Sequence, residues 1–293
     1  LGVGIREAQG GPADIRRVKG RRSLEEDVRA AEVRTILDQV GIRASRGLGQ
    51  HFLLDEGIAT EAVKLADIGP EDMVLEIGPG LGTLTNLLVE AKARLVTIEK
   101  SPALTEYLRR KFTQVQVITG DATRIPWPPF DKCVSNLPFN ISSPVIFRLL
   151  GTPFRRAVLM VQWEFARRLV ASPGSPDYSR LTVKSHYRAD CQLGPRVPRG
   201  AFWPQPSVDA ALVALQPRPP PFEVSDEGLY LRLVDLLFQH RRKKVITTLG
   251  LVREELGLGY LDLREIPYGE RRPGELSPAE LAEVSDALSA SKL

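Results

Sequence analysis

VLEIGPGLGTLT, residues 74–85, is a short apolar strand that runs into a glycine-rich turn and then into the first turn of a helix. Glu76 stands where the strand ends. Glycines at 78, 80 and 82 let the backbone approach a bound group with no side chain in the way, and a helix opening near Thr83 aims its free N–H groups at the same place. Such a turn also occurs in proteins that hold no ligand there, so its meaning depends on what the flanking segments bring to it.

Composition sets outer bounds. The chain has 293 residues, 43% apolar and 26% charged, which suits a globular protein with one large domain and a smaller companion. Two cysteines, Cys133 and Cys191, are too few for a disulfide framework or a structural zinc site, so a reducing compartment is expected and no metal is called for. Apolar runs are broken by charge before membrane-spanning length, and the start lacks a charged-then-apolar secretory pattern, so the expectation is a cytoplasmic protein with no membrane partner. A net charge of +4 is compatible with a nucleic-acid partner without arguing for one. Basic residues cluster locally instead, at Arg16, Arg17, Lys19, Arg21 and Arg22 and again at Arg241, Arg242, Lys243 and Lys244, while residues 221–293 as a whole are net acidic.

Outward from the glycine turn, strand and helix patterns alternate. Residues 73–77, 94–99, 115–121, 132–136 and 157–162 read as strands; 83–91, 102–111 and 144–150 read as helices, the second with Pro102 in its first turn. That alternation argues for an α/β fold with a doubly wound, mostly parallel sheet, whose ligands sit beyond the carboxyl ends of the strands. Upstream, residues 1–22 have no apolar period and read as a flexible tail. Ser23 and Glu26 form a capping-box signature, and Leu24, Val28, Val33, Ile36, Leu37 and Val40 make one apolar helical face. A further helix is expected over 58–66. Downstream, 163–171 reads as a helix, 181–189 is ambiguous between helix and strand, and AFWPQPSVDAALV at 201–213 reads as a Pro-rich turn before a late antiparallel edge strand. Pro217, Pro219, Pro220 and Pro221 make a stiff linker. Beyond it, helices are expected over 229–249 and 277–288, a small helical domain spanning 222–293.

Polar residues recur at the strand ends. Glu99 lies about 20 residues past the glycine turn, where a carboxylate accepts both hydrogens of a ribose diol. Asp121, in Gly120-Asp121-Ala122, can accept from an adenine amino group. Each is ordinary alone; together they suit a nucleoside-bearing cofactor. The discriminating motif comes after the fourth strand: Asn136-Leu137-Pro138-Phe139-Asn140-Ile141-Ser142. An exocyclic amine on an aromatic ring is a poor nucleophile because its lone pair is delocalised. Two acceptors, the Asn136 side-chain oxygen and the Leu137 carbonyl, would draw that nitrogen toward tetrahedral geometry and free the lone pair. Pro138 stiffens the turn, and Phe139 can stack on the base, as flipped-out bases require.

Taken together, GLGQHFLLD, VLEIGPGLGTLT, VTIEKS, TGDA, SNLPFNISSP, QWEFARRLVA, AFWPQPSVDAALV and FQHRRKK resemble the successive blocks of the KsgA/Dim-type family of rRNA adenine dimethyltransferases, collinearly over roughly residues 45–290. The resemblance implies a Rossmann-like class I methyltransferase domain over 23–216 that uses S-adenosyl-L-methionine, with the helical domain binding RNA. It implies dimethylation of two adjacent adenines in the 3′-terminal hairpin loop of small-subunit rRNA, on the assembling small ribosomal subunit, by a monomer. Gln50, His51, Phe52 and Leu53 would cover the cofactor. Glu76, Gly78, Pro79 and Gly80 would approach its methionine part, Glu99 with Lys100 its ribose, and Asp121 with Ala122 its adenine. Asn136, which borders the cofactor too, would form the target-base site with Leu137, Pro138 and Phe139. Position 139 departs from the family's commoner Tyr, which keeps stacking and removes a hydroxyl. His51 stands where bacterial members often have Asn, a feature of archaeal or eukaryotic members.

Arg241, Arg242, Lys243 and Lys244, read as helical, are candidates for phosphate contact, although a charge run is commonly a solvated face. Trp127, Trp163, Trp203 and Phe202 are candidates for RNA stacking or for core packing, with Phe202-Trp203-Pro204 the strongest for RNA. Three other readings stay open: an erythromycin-resistance-type enzyme acting on large-subunit rRNA, a non-catalytic ribosome-assembly or transcription factor of the same fold, and, more weakly, a DNA amino-methyltransferase.

Overall fold

The computed structural model describes residues 24–42, 49–259 and 261–290. The expected tail at 1–22, the basic cluster within it, the Ser23–Glu26 capping pair and Arg46 to Leu48 lie outside the described residues or side chains.

A seven-stranded sheet forms the centre, in the order β4-β3-β2-β5-β6-β9-β7. The strands are β2 (Met73–Ile77), β3 (Arg94–Glu99), β4 (Gln116–Thr119), β5 (Lys132–Asn136), β6 (Arg156–Gln162), β7 (Ala189–Val197) and β9 (Ala210–Pro217). The five from β4 to β6 are mutually parallel, while β9 runs antiparallel between β6 and β7. Parallel neighbours need crossovers, supplied by α3 (Thr83–Glu90), α4 (Pro102–Lys111) and α5 (Ser142–Leu150). The chain steps outward from β2 to β3 and β4 and then returns past β2 to β5. The strand order therefore reverses between β2 and β5, and a crevice opens beyond their carboxyl ends.

Alternate residues feed two cores. Val74, Val158, Met160 and Leu212 pack on one face with Ala59, Ala62 and Ala66 of α2 (Glu56–Ala66) and Leu84 and Leu88 of α3. Leu75, Leu159, Val161 and Val213 pack on the other with Val145, Ile146 and Leu149 of α5 and Leu169 of α6 (Trp163–Leu169). Burial on both faces is why these strands read as near-continuous apolar runs.

The helix α1 (Leu24–Val40) lies against α4 and buries Ala30 and Leu37, two turns apart, whereas Val28 of the expected apolar face is 59% exposed. Leu37 joins Phe52, Leu81 and Leu104 in a small cluster above the glycine turn. A two-stranded antiparallel sheet, β1 (Phe52–Leu53) with β8 (Phe202–Trp203), pairs Leu53 with Phe202.

Downstream of the sheet, α8 (Glu227–Gln239), α9 (Val245–Leu251) and α10 (Pro278–Ala290) enclose a separate core. Tyr178, with Val183 and Tyr187 of α7 (Arg180–Arg188), also belongs to it, and the Tyr178 hydroxyl donates to the Leu276 carbonyl at 2.8 Å. This core thus reaches back before the proline run. The ambiguous segment 181–189 is helical through Arg188, and its last residue, Ala189, opens β7. Its register shifts between Leu193 and Arg196, so Gly194 and Pro195 sit at an irregularity on an edge strand, where a missing N–H is tolerated.

The expected helix over 229–249 is two helices. At His240 the backbone leaves the helical region (φ −116°, ψ 34°), and residues 240–244 form a turn. The first N–H groups of α9 are met from outside, Val245 donating to the Arg271 carbonyl and Ile246 to that of Gly269. Among the described residues no helix is long and apolar enough to cross a membrane.

Candidate active site

A cavity of about 400 Å³, within the range of small-molecule sites, lies at the strand reversal. Its wall includes Gln50 to Leu53, Glu76, Gly78 to Gly80, Glu99, Lys100, Asp121, Ala122 and Asn136 to Pro138, so the residues singled out at separate strand ends converge on one space.

The glycine turn forms its floor. Gly78, Gly80 and Gly82 have φ of 71°, 59° and 86°, backbone that side-chain-bearing residues rarely adopt. A methyl group placed on Gly78 would come within 2.9 Å of Pro138 Cδ, and one on Gly80 within 3.0 Å of Phe52 Cδ1. The glycines therefore allow both a left-handed backbone and close packing against the two segments that close over them.

Two buried carboxyls face this floor. Glu99 is 6% exposed; Oε1 accepts from the Ser101 N–H at 2.8 Å and Oε2 from that of Gly80 at 3.4 Å. Burial raises its pKa, opposed by the backbone N–H groups of Ser101, Gly80 and Lys100. A carboxylate has about four acceptor sites, so these backbone bonds leave capacity for a diol. Glu76 is 1% exposed and accepts from the Thr85 hydroxyl at 2.7 Å. Burial pushes it up to about 8, opposed by the Thr85 hydrogen bond and assisted by the Glu99 charge.

Asp121 lies just past β4, which ends at Thr119, earlier than the expected 121. Its Oδ1 accepts from the Thr123 N–H and hydroxyl, at 2.9 and 2.6 Å, and its Oδ2 from Lys100 Nζ at 3.0 Å. The Thr123 hydroxyl bond, with the Thr123 N–H and Lys100, holds this carboxyl well below the usual range, so it is a fixed negative acceptor. The donor set fits adenosylmethionine: a buried carboxylate for a diol, a charged carboxylate for an amine, and a bare backbone turn between them.

The segment 49–53 closes the other side. A Cβ on Gly49 would meet Asn140 Oδ1 at 2.8 Å, His51 Nδ1 bonds the Pro204 carbonyl at 2.7 Å, and Asn136 Nδ2 donates to the His51 carbonyl at 3.1 Å. A carbonyl only accepts, so His51 carries its proton on Nδ1 in this bond. Phe139 is partly exposed beside this wall, with ring centroids 5.3 Å from His51 and 6.3 Å from Phe202.

Several expectations for RNA contact change. Phe202 is 0% exposed, held inside by β8 pairing with β1 and by the Phe139 ring, so it has no face to offer a base. Each tryptophan is overlaid by an arginine: Trp127 by Arg148, Trp163 by Arg196 and Trp203 by Arg34, at 4.4, 4.9 and 5.8 Å. The basic run is a turn, with all four cations exposed. Arg241 donates to the Pro176 carbonyl and Lys244 pairs with Glu270 at 2.6 Å, whereas no ion pair of Arg242 or Lys243 occurs among the described residues. Thr85, Ser101 and Thr123, which fix the three carboxyls, have no local signal in the sequence that marks them.

A parallel sheet with one antiparallel hairpin at its edge, a glycine turn after β2 and acids after β3 and β4 together define a Rossmann-like class I methyltransferase. A family model described as ribosomal RNA adenine dimethylase matches residues 42–258, and the chain belongs to that family. A relative from Thermococcus kodakarensis, named probable ribosomal RNA small subunit methyltransferase A, is 43% identical over 87% of this chain and 93% of its own length. One of the same name from Methanosarcina acetivorans is 42% identical over 87% and 97%. Among solved structures, a dimethyladenosine transferase from Plasmodium falciparum aligns with a TM-score of 0.72 at 25% identity, over 83% of this chain and 99% of that one. The 23S rRNA methyltransferase ErmE aligns with a TM-score of 0.60 at 27% identity, over 81% and 99%. The protein is an rRNA adenine dimethyltransferase by family, and membership implies S-adenosylmethionine as methyl donor.

Proposed function

We propose that this protein dimethylates the amino groups of two adjacent adenines in the 3′-terminal hairpin loop of small-subunit rRNA, acting as a cytoplasmic monomer on the assembling small subunit. The observation that carries this reading is the contact of the glycine turn with the Asn136–Phe139 turn, the Gly78 backbone lying against the Pro138 ring. A donor and an acceptor held by these two turns would meet edge to edge.

S-adenosylmethionine, when bound, supplies an electrophilic methyl group on a sulfonium. Glu99 would hold its ribose, Asp121 and Ala122 its adenine, and Glu76, Gly78, Pro79 and Gly80 its methionine part. Asn136 Oδ1 and the Leu137 carbonyl accept the two N–H bonds of the target amine and turn its lone pair toward the methyl. Proximity and orientation supply most of the rate in such an arrangement. No side chain is needed as base, because the methylated aminium is acidic and loses its proton to water. Phe139, partly exposed beside the His51 ring, would stack on the target base. Arg242 and Lys243, exposed and unpaired by any described acid, are the cations best suited to phosphate contact.

The test is methyl transfer to undermethylated small subunits, followed by mass spectrometry of the rRNA. Two dimethylated adenines in the 3′-terminal hairpin are expected. Modification of large-subunit rRNA alone would overturn the substrate in favour of the ErmE-like reading. No incorporation into any rRNA would favour a binding factor, against which the convergence of Glu99, Asp121 and Asn136 on one cavity argues.

A further inference from the structure

The turn after β4 is held by a contact that takes no part in the cofactor and target-base roles. The Ala122 carbonyl accepts two hydrogen bonds, from Trp127 Nε1 at 2.8 Å and from Arg148 Nη1 at 2.9 Å. The Arg148 guanidinium also lies 4.4 Å from the centre of the Trp127 ring. Each of the three contacts supports the other two: the indole donates to the carbonyl from its edge and holds the guanidinium on its face, and the guanidinium closes back on the same carbonyl. Arg stacks and donates in one plane in a way that few side chains can.

The neighbouring peptide is fixed as firmly. The Asp121 carbonyl accepts from the N–H groups of Arg124 and Ile125, at 2.8 and 3.0 Å. In a trans peptide the N–H points opposite to the C=O, so the Ala122 N–H points away from that turn. Ala122 is buried and lines the cavity, and among the described residues its N–H has no recorded partner. The cavity is therefore offered one donor, the Ala122 N–H, beside one fixed acceptor, the Asp121 carboxylate. That pair matches the ring-nitrogen and amino edge of adenine and mismatches hypoxanthine, which presents a ring N–H and a carbonyl at the same places.

Arg148 belongs to α5, the helix that comes after the Asn136–Ile141 turn. It thus ties the turn that reads the nucleoside to the helix that carries the acceptor motif.

We propose that Arg148 and Trp127 are positioning residues that, by fixing the Ala122 carbonyl, hold the Ala122 N–H of the adjoining peptide in the orientation needed to choose an adenine over a hypoxanthine nucleoside. The proposal rests on the reading of the cavity as an adenosylmethionine site.

The test is calorimetric titration of the full chain with S-adenosylhomocysteine and with S-inosylhomocysteine. The wild type is expected to prefer the adenosyl ligand. Arg148→Met and Trp127→Phe should each weaken adenosyl binding by about tenfold, in keeping with the loss of one hydrogen bond to a group that must stay oriented. Both should also narrow the adenosyl-to-inosyl preference several-fold, and Arg148→Lys, which keeps a cation and a donor, should recover part of it. Trp127→Phe keeps an aromatic ring beneath Arg148 while removing the N–H donor, so it serves if Arg148→Met does not fold. Wild-type affinity and preference in folded variants would overturn the proposal, as would equal weakening toward both ligands, the mark of a merely structural role. Failure of the wild type to bind either ligand would instead overturn the cofactor reading and the inference with it.

Discussion

Asn136 donates from Nδ2 to the backbone carbonyl of His51 at 3.1 Å. The bond fixes which end of the amide faces which way, and among the described residues Oδ1 has no recorded donor. An acceptor in a methyl-transfer site must be held in this way, because an amide free to flip would present N–H groups to the amine half of the time.

Asn136→Asp keeps an acceptor but sets a carboxylate oxygen against the His51 carbonyl. Single-turnover methyl transfer to small subunits should fall by about 10²-fold or more, since misplacement near the reacting atoms costs that much. Binding of S-adenosylhomocysteine should stay within a few-fold of wild type. Transfer at the wild-type rate would sink the proposed acceptor geometry.

At Glu99, two N–H groups point at the carboxylate. Glu99→Gln brings an amide NH2 against one of them and removes the charge. Affinity for S-adenosylhomocysteine should drop about 10- to 100-fold, the scale of lost charge-assisted hydrogen bonds. The variant should also lose the wild type's preference for a ribose over a 2′-deoxyribose ligand. If that preference survives, the ribose lies elsewhere.

Much of this site is legible along the chain because a parallel sheet delivers its strand ends, and the loops that leave them, to one edge. Gly78, Glu99, Asp121 and Asn136 each announce a strand end locally, and the topology does the rest. Phe202 is different. Followed by Trp203-Pro204, it reads as a candidate for stacking on RNA, and its burial depends on Leu53 pairing, a contact across about half of the chain. The Gly194-Pro195 pair hides β7 for a related reason, since an edge strand tolerates what a lone sequence window reads as a break. At 240–244 every residue is a tolerable helix former, so the turn between α8 and α9 is imposed by partners at Pro176, Gly269 and Arg271. Arg148 and Trp127 carry no motif at all; their role exists only once both reach the Ala122 carbonyl.

Glu76 makes stability depend on pH. Its carboxyl is pushed up to about 8 from an ordinary 4.5, mainly by burial. Between those values the native state keeps a proton that the unfolded chain releases. The stabilisation is therefore complete below about 4.5 and is lost as pH rises through 8, at about 1.4 kcal/mol per unit. Glu76→Gln cannot titrate. In urea unfolding of the ligand-free protein, the advantage of the variant over wild type should grow by about 2–3 kcal/mol between pH 5.5 and 7.5. A gap that stays flat with pH would mean that Glu76 is ionised in the native state.

At the far end of β2, Asp72 pairs with Lys132 at 2.8 Å and with Arg155, and both Asp72 and Lys132 are buried. Burial works to raise the Asp72 pKa, but the Lys132 hydrogen bond, the Gly69 N–H and the two cations outweigh it. Asp72→Ala leaves the Lys132 ammonium buried with, among the described residues, only the Asp67 carbonyl for a partner. A loss of about 3–5 kcal/mol is expected in chemical denaturation. Adding Lys132→Met should restore most of it, and a double variant no better than the single one would show that the cost comes from something other than the stranded charge.

The turn at 241–244 separates RNA contact from folding. Arg241 and Lys244 are engaged with Pro176 and Glu270, so replacing them disturbs the turn as well as any phosphate contact. Arg242 and Lys243 are exposed and have no such partner among the described residues. Arg242→Ala with Lys243→Ala should leave the unfolding midpoint and S-adenosylhomocysteine affinity unchanged while weakening binding to small-subunit rRNA. Each phosphate contact removed should lower the slope of log affinity against log salt by about 0.7 to 1. Phe202→Ala should do the reverse, costing about 3–5 kcal/mol of stability through the cavity it leaves. A salt slope that does not move in the double variant would show that the RNA is held by other cations, and the turn would then be only a solvated loop between two helices.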